Sequence, residues 1–160
     1  MHTTKNNLAE AVRADMVQLL NTRLADAVDL FDQTKHAHWN VKGPQFIALH
    51  QLFDTIAGHV EGFADLLAER AVQLGGVAEG TCQIVAGRTS LKPYDVTATS
   101  GREHVDALSS VLADFGGKLR DAIDDAGGRG DQGTADLFTE ISREVDKDVW
   151  FLEAHLHGER

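Results

Sequence analysis

The chain is 160 residues long and 42% hydrophobic, and it carries 15 Lys and Arg against 25 Asp and Glu, a net charge of −10. That length makes one domain over residues 1–160 with a buried core the default. The acidic surplus disfavours nucleic acid and anionic membranes as partners and favours cations.

Helical periodicity dominates the sequence. Residues 1–6 form a short, flexible N-terminal arm, and MHTTKNNLAE lacks the apolar core of a signal peptide. Val12, Met16, Leu20, Leu24, Ala27 and Phe31 then recur at three- and four-residue steps, predicting a first helix from about Asn7 to the Gly43-Pro44 break. A second apolar set, from Phe46, Ile47, Leu49 and Phe53 to Leu66, Leu67 and Val72, predicts a long helix that stops at Gly75-Gly76. Between Gly75 and Gly101 the periodicity fades over a stretch too long for a tight turn, so this segment crosses the bundle and carries a short extra helix. Its Cys82 is the only cysteine, without partners for a disulfide or a zinc site, and is expected as a half-buried loop thiol. Ser100 and Glu103 have capping-box spacing and open a third long helix, closed by Gly127, Gly128 and Gly130. A fourth starts near Thr134 and runs to His157-Gly158. The fold class is therefore all-α: a four-helix bundle with a long crossover between its second and third helices, the connectivity of ferritin-like folds. No run of about 18 apolar residues is present, so a cytoplasmic protein with no membrane partner is expected.

On the second helix, His50 and Asp54 lie four residues apart, and so do Asp65 and Glu69, so each pair shares a face. Such pairs arise by chance in a chain rich in these residues; their phase says more. At about 100° per residue, the eleven-residue step from Asp54 to Asp65 returns to within about 20° of the same direction, placing all four side chains on one stripe. The same step rises about 16 Å, farther than one metal ion can bridge. Two readings stay open. Either these are incomplete half-sites that bind nothing, or two chains pair antiparallel about a two-fold near His59, so that His50 and Asp54 of one chain meet Asp65 and Glu69 of its mate, twice. Imidazole and carboxylate ligands with open positions suit non-haem iron. His38, at the end of the first helix, can supply a further ligand. No Glu-x-x-His pair, the signature of a di-iron site inside a bundle, occurs in the chain.

The segments KHAHWNVKGPQFIALHQLFD, DLLAERAVQLGG and TADLFTEISREVDKDVWFLEAHL, with a helical pattern over nearly the whole chain, resemble the Dps proteins, or mini-ferritins. The resemblance implies a dodecameric shell built from two-fold dimers. It also implies ferroxidase centres with two irons per site, oxidation of ferrous iron with hydrogen peroxide preferred over oxygen, and ferric mineral stored inside. By position, His38, His50 and Asp54 come from one subunit and Asp65 and Glu69 from its partner. Zinc is the expected competitor for such a site. Trp39, beside His38, has two readings, an interface anchor or a quencher of stray oxidant, and the anchor is favoured.

The other titratable residues receive plainer readings. His36 is expected exposed or beside the ligands rather than among them. His59, His104, His155 and His157 show no matched partner and read as structural or solvated. Asp121, Asp124, Asp125, Asp131 and Asp136 form either a solvated helix end or, as the resemblance implies, part of an iron-admitting three-fold pore, with Asp131 and Asp136 as the pore candidates. The competing function is a structural nucleoid protein that binds and compacts DNA. Only Lys5 in the arm and Arg160 at the C-terminus would serve it, which disfavours DNA as a partner. A third reading is an inert bundle whose site traps zinc.

Overall fold

The computed structural model describes residues 1–157, so the expected stop at Gly158 and the basic Arg160 lie outside the described residues. Five helices follow in order: α1 (Glu10–Asn40), α2 (Phe46–Gln73), α3 (Cys82–Arg88), α4 (Gly101–Gly128) and α5 (Gln132–Ala154). The four long ones form the expected bundle. α1 packs along α2 and α4 along α5, and the two hairpins join through α1 against α4 and α2 against α5. None of the described helices is long and apolar enough to cross a membrane.

Phe53, Phe115, Phe138, Leu20, Leu30, Leu108 and Leu112 are fully buried at the centre. Each such side chain contributes about 1.5–3 kcal/mol through area removed from water. Two helix starts show how local chemistry sets boundaries. α4 begins where the capping box predicts, with the Ser100 hydroxyl accepting from the Glu103 amide and the Glu103 carboxylate accepting from the Ser100 amide. α1 begins three residues later than expected, because Asn6 turns the chain first: its Oδ1 accepts from the Leu8 amide at 2.9 Å. The arm ahead of it also touches the bundle, the His2 amide donating to the Gly75 carbonyl.

The crossover is tied to α1 along its length. Asn21 uses both ends of its amide, donating to the Val77 carbonyl and accepting from the Glu79 amide. Asp26, fully buried, accepts from the Ser90 amide at 2.7 Å and pairs with Arg23 at 3.0 Å. Asp29 accepts from the Thr89 hydroxyl. The close approach at the start of the crossover requires glycine, since a Cβ on Gly76 would come within 2.4 Å of the Val17 side chain. α3 is the expected extra helix and rests on α1. It buries only Val85, so Cys82 at its start is exposed rather than half-buried.

α2 departs from the sequence expectation in one informative way. Its inner seam, from Leu49 and Phe53 through Leu67 and Ala71, is buried. Phe46, Ile47, Leu66 and Val72 stay 37–61% exposed. The helix carries more apolar surface than one bundle seam covers, so part of it faces outward in the single chain.

Candidate metal centre

The turn between α1 and α2 brings His38 and His50 together. Gly43 there has φ +116, a left-handed conformation that disfavours any side chain, and it lets the chain reverse within a few residues. The two rings stack with centroids 3.8 Å apart and 21° between planes. Their hydrogen bonds are reciprocal: His38 Nδ1 lies 2.8 Å from the His50 carbonyl, and His50 Nδ1 lies 2.8 Å from the His38 carbonyl. A carbonyl only accepts, so both Nδ1 atoms carry hydrogen, and in the neutral rings both Nε2 atoms hold a free lone pair. This is the arrangement that fixes tautomer and aim in a metal-binding histidine.

Asp54 stands one turn beyond His50, its side chain 58% exposed and an oxygen 3.9 Å from His38 Nε2. The same oxygen lies 2.6 Å from the Lys35 ammonium. The Lys35 hydrogen bond holds the Asp54 carboxyl below the usual carboxylate range, opposed by desolvation and helped by the lysine charge and then by both histidines. Lys35 did not figure in the sequence reading. Its signal is the three-residue spacing to His38, which places both on one face of α1. The Lys35 ammonium also lies 5.9 Å from the ring of Trp39, which is 68% exposed.

Asp65 and Glu69 are exposed at the far end of the same helix, and among the described residues neither makes a side-chain hydrogen bond or ion pair. The fold therefore brings His38, His50 and Asp54 together and leaves Asp65 and Glu69 apart from them. Among the described residues of this single chain, no three His, Cys, Asp or Glu side chains are placed to hold a metal ion. The positions are nonetheless ordered. His50 with Glu69, Asp54 with Asp65, and the exposed Ile47 with Val72 are each centred on the same point of α2, between His59 and Val60. All six lie within an arc of about 100°. An open groove lined by Leu24, Val28, Gly58, Gly62 and Ala64 runs past this centre to Asp65.

Several secondary expectations change. Asp131 is 2% exposed and does structural work as the N-cap of α5, accepting from the Thr134 amide at 3.0 Å and from the Arg70 guanidinium at 2.9 Å. Its oxygens are engaged inside the bundle, a capping role the sequence reading did not assign; the Asp131-x-x-Thr134 spacing is the signal for it. Asp136 is exposed. His59 has a partner after all, its Nδ1 lying 3.1 Å from both oxygens of the fully buried Asp148. Burial pushes the Asp148 carboxyl up and the His59 hydrogen bond opposes this. His104 is also partnered, by the Tyr94 hydroxyl.

The bundle and its crossover define a ferritin-like protein, and residues 17–160 match the ferritin-like domain family. The "DNA protection during starvation protein" of Agrobacterium fabrum is 46% identical over 155 residues, spanning 97% of this chain and 96% of that protein. Among solved structures, a Dps from Mycobacterium smegmatis superposes with a TM-score of 0.93 at 31% identity, covering 100% of this chain and 98% of the other. A Dps from Microbacterium arborescens, solved in its high iron form, gives 0.84 at 35% identity over 96% of this chain and 97% of the other. The chain belongs to the Dps family.

Proposed function

We propose that this protein oxidises ferrous iron with hydrogen peroxide at sites shared between two chains and stores the ferric product inside a hollow shell of twelve chains. The observation that carries the reading is the reciprocal His38–His50 pair, whose two Nε2 lone pairs stand at one end of a stripe with Asp65 and Glu69 at the other. A second copy laid antiparallel across the common centre puts Glu69 of each chain opposite His50 of its mate, and Asp65 opposite Asp54. Lys35 and Asp54 offset each other at one end, so the Asp65 and Glu69 carboxylates of the mate meet an end with no net negative charge and two imidazole nitrogens. The exposed Ile47 and Val72 come together in the same pairing. The high iron form of the Microbacterium relative supports the choice of metal.

In each shared site the histidines supply neutral nitrogen ligands and the carboxylates favour the ferric product, with positions left open for peroxide. Two ferrous ions deliver two electrons to one peroxide, which takes up two protons and leaves as two waters. No hydroxyl radical is released. Glu69 is assigned as the strongest, bridging ligand, and zinc competes for the same donors. Asp136 is the remaining pore candidate, Trp39 is an interface anchor, the protein acts in the cytoplasm, and residues 1–160 form one domain. The DNA-compacting reading is not adopted, because Lys5 is the single lysine or arginine in the arm, which keeps the counterion-release term small.

The test is complementation. One variant carries His50→Ala with Asp54→Ala, the other Asp65→Ala with Glu69→Ala, and each alone should lose fast oxidation. In mixed dimers one site collects all four changes and the other none, so random pairing restores about a quarter of the sites. Mixed assemblies verified by mass spectrometry that oxidise iron no faster than either variant alone would overturn the shared site.

A further inference from the structure

Directly beneath the imidazole end of α2 lies a second pair of interacting groups that the proposed iron chemistry does not use. Tyr94, the only tyrosine in the chain, sits in the crossover after α3, and its hydroxyl is 2.7 Å from His104 Nδ1. His104 is fully buried. Burial depresses its imidazole and His36 adds to the effect, which favours the neutral ring; in the tautomer with hydrogen on Nε2, Nδ1 accepts the phenol proton. The phenol itself is pushed up by burial and, secondarily, by Asp95, and it stays protonated at rest. The pair touches the neighbours of the iron ligands on both helices. The His36 ring lies 5.2 Å from the Tyr94 ring, and the Phe53 ring lies 6.4 Å from the His104 ring. His36 is two residues before His38, and Phe53 precedes Asp54.

A buried phenol gives up an electron with difficulty if it must keep its proton, because a charged radical cation is then left in a low-dielectric interior. An imidazole lone pair at hydrogen-bond distance removes that obstacle by taking the proton as the electron leaves. We infer that Tyr94, with His104 as its proton acceptor, is a one-electron donor that disarms the oxidant formed when peroxide meets a single ferrous ion. This rests on the ferroxidase reading. One ferrous ion and one peroxide give a ferric ion, a hydroxide and a hydroxyl radical. The radical takes one electron from Tyr94 and becomes a second hydroxide; the Tyr94 O–H bond breaks, its proton passes to His104 Nδ1, and a neutral tyrosyl radical remains. A later ferrous ion returns one electron, the proton goes back to the phenolate oxygen, and a second ferric ion is formed. The sum is the same two-iron, one-peroxide stoichiometry, reached when the irons arrive one at a time.

The test uses the whole assembled protein loaded anaerobically with fewer ferrous ions than sites, mixed with hydrogen peroxide and frozen for electron paramagnetic resonance, with iron oxidation followed in parallel by absorbance. Wild type should show a tyrosyl signal that narrows in protein grown on ring-deuterated tyrosine and disappears in Tyr94→Phe. His104→Gln keeps an acceptor but not a base and should form the radical roughly tenfold more slowly, with iron oxidation unchanged. Deuterated water should slow radical formation in wild type, a check that needs no variant at His104. Normal iron oxidation without a tyrosyl signal, or a signal that survives Tyr94→Phe, overturns the inference and leaves the ferroxidase reading standing. If iron is not oxidised at all, that reading falls, and with it the role assigned to Tyr94 at the iron site. An iron-free arm then decides whether the pair is redox-active: azide radicals from pulse radiolysis oxidise the chain's two tryptophans, Trp39 and Trp150, and a competent Tyr94 makes the indolyl absorbance decay into tyrosyl absorbance in wild type but not in Tyr94→Phe. Indolyl decay that is the same in both proteins shows that Tyr94 donates no electron.

Discussion

The two ends of α2 are built differently although they serve one stripe. At the N-terminal end, two imidazoles lock each other through carbonyl hydrogen bonds 2.8 Å long, and Lys35 holds Asp54 at 2.6 Å. At the C-terminal end, Asp65 and Glu69 stand free in solvent. A histidine must have the right nitrogen protonated and the ring aimed before it can bind a metal, so fixing it in advance removes an ordering cost. A carboxylate presents equivalent oxygens on an adaptable side chain and needs less preparation. The fold places its hydrogen bonds at the imidazole end, where orientation matters, and leaves the Asp65 and Glu69 side chains free to adapt.

The sharpest way to break this pairing of unlike ends is to hold them apart at their common centre. Gly58 faces outward near that centre, and an added Cβ there meets nothing within 4 Å in the single chain. Glycine inside a helix costs about 1 kcal/mol relative to alanine, so no feature of the isolated chain explains it. Gly58→Ala should stabilise the helix. Gly58→Phe should leave the fold intact by circular dichroism but wedge the two α2 helices apart, lowering the iron oxidation rate roughly 100-fold, the scale of an ångström-level misplacement. Equal rates in Gly58→Phe and wild type would remove α2 from the shared interface.

The back of the same region gives the next largest effect. Asp148 is fully buried and its carboxylate faces His59. His59→Ala leaves a buried carboxylate without this partner and should cost about 3 kcal/mol in urea unfolding, the lower part of the range because His59 is partly exposed. Replacing both, as His59→Leu with Asp148→Leu, should recover most of that loss. A single variant as stable as wild type would show that the pair contributes nothing.

Lys35 sharpens the comparison from the prepared end. Its ammonium sits on the Asp54 oxygen that a metal would use. Lys35→Met should therefore tighten ferrous binding several-fold in an anaerobic titration, about what removing one competing charge from a partly exposed ion pair is worth. Unchanged affinity would mean that the lysine swings away freely.

Legibility followed sequence distance. That His50 pairs with Asp54 and Asp65 with Glu69 on one face was readable because four-residue spacing on a helix fixes a shared face, and α4 was placed from its start because the capping box is written in nearby residues. Contacts closed by the tertiary fold were not. His59 and Asp148 lie 89 positions apart. Tyr94 reaches His104 only through the irregular crossover, whose path is set by Asp26, Asp29 and Asn21 on α1 rather than by its own periodicity. The outward exposure of Ile47 and Val72 was not readable either, because periodicity reports an apolar face without saying what covers it. The capping role of Asp131 was legible as well, since its three-residue spacing to Thr134 is a cap signature.

The smallest effect separates two ways of holding a carboxylate ionised. Asp54 is depressed chiefly by one lysine side chain, whereas Glu103 is brought to about 2 by the Ser100 backbone N–H, then the Thr99 backbone N–H and the Ser100 hydroxyl. A folded value below the unfolded one means that the Glu103 contribution to folding is fully present above the ordinary glutamate range. It is lost as pH falls through that range toward about 2. Side-chain carboxyl titration by nuclear magnetic resonance should find Glu103 near its depressed value in wild type. In Ser100→Ala it should rise only part of the way, because the two backbone donors remain. Asp54 in Lys35→Met should instead return most of the way to the ordinary aspartate value, since its leading donor is gone. If Glu103 rises as completely in Ser100→Ala as Asp54 does in Lys35→Met, the backbone does not hold Glu103, and the two carboxylates are governed alike by single side chains.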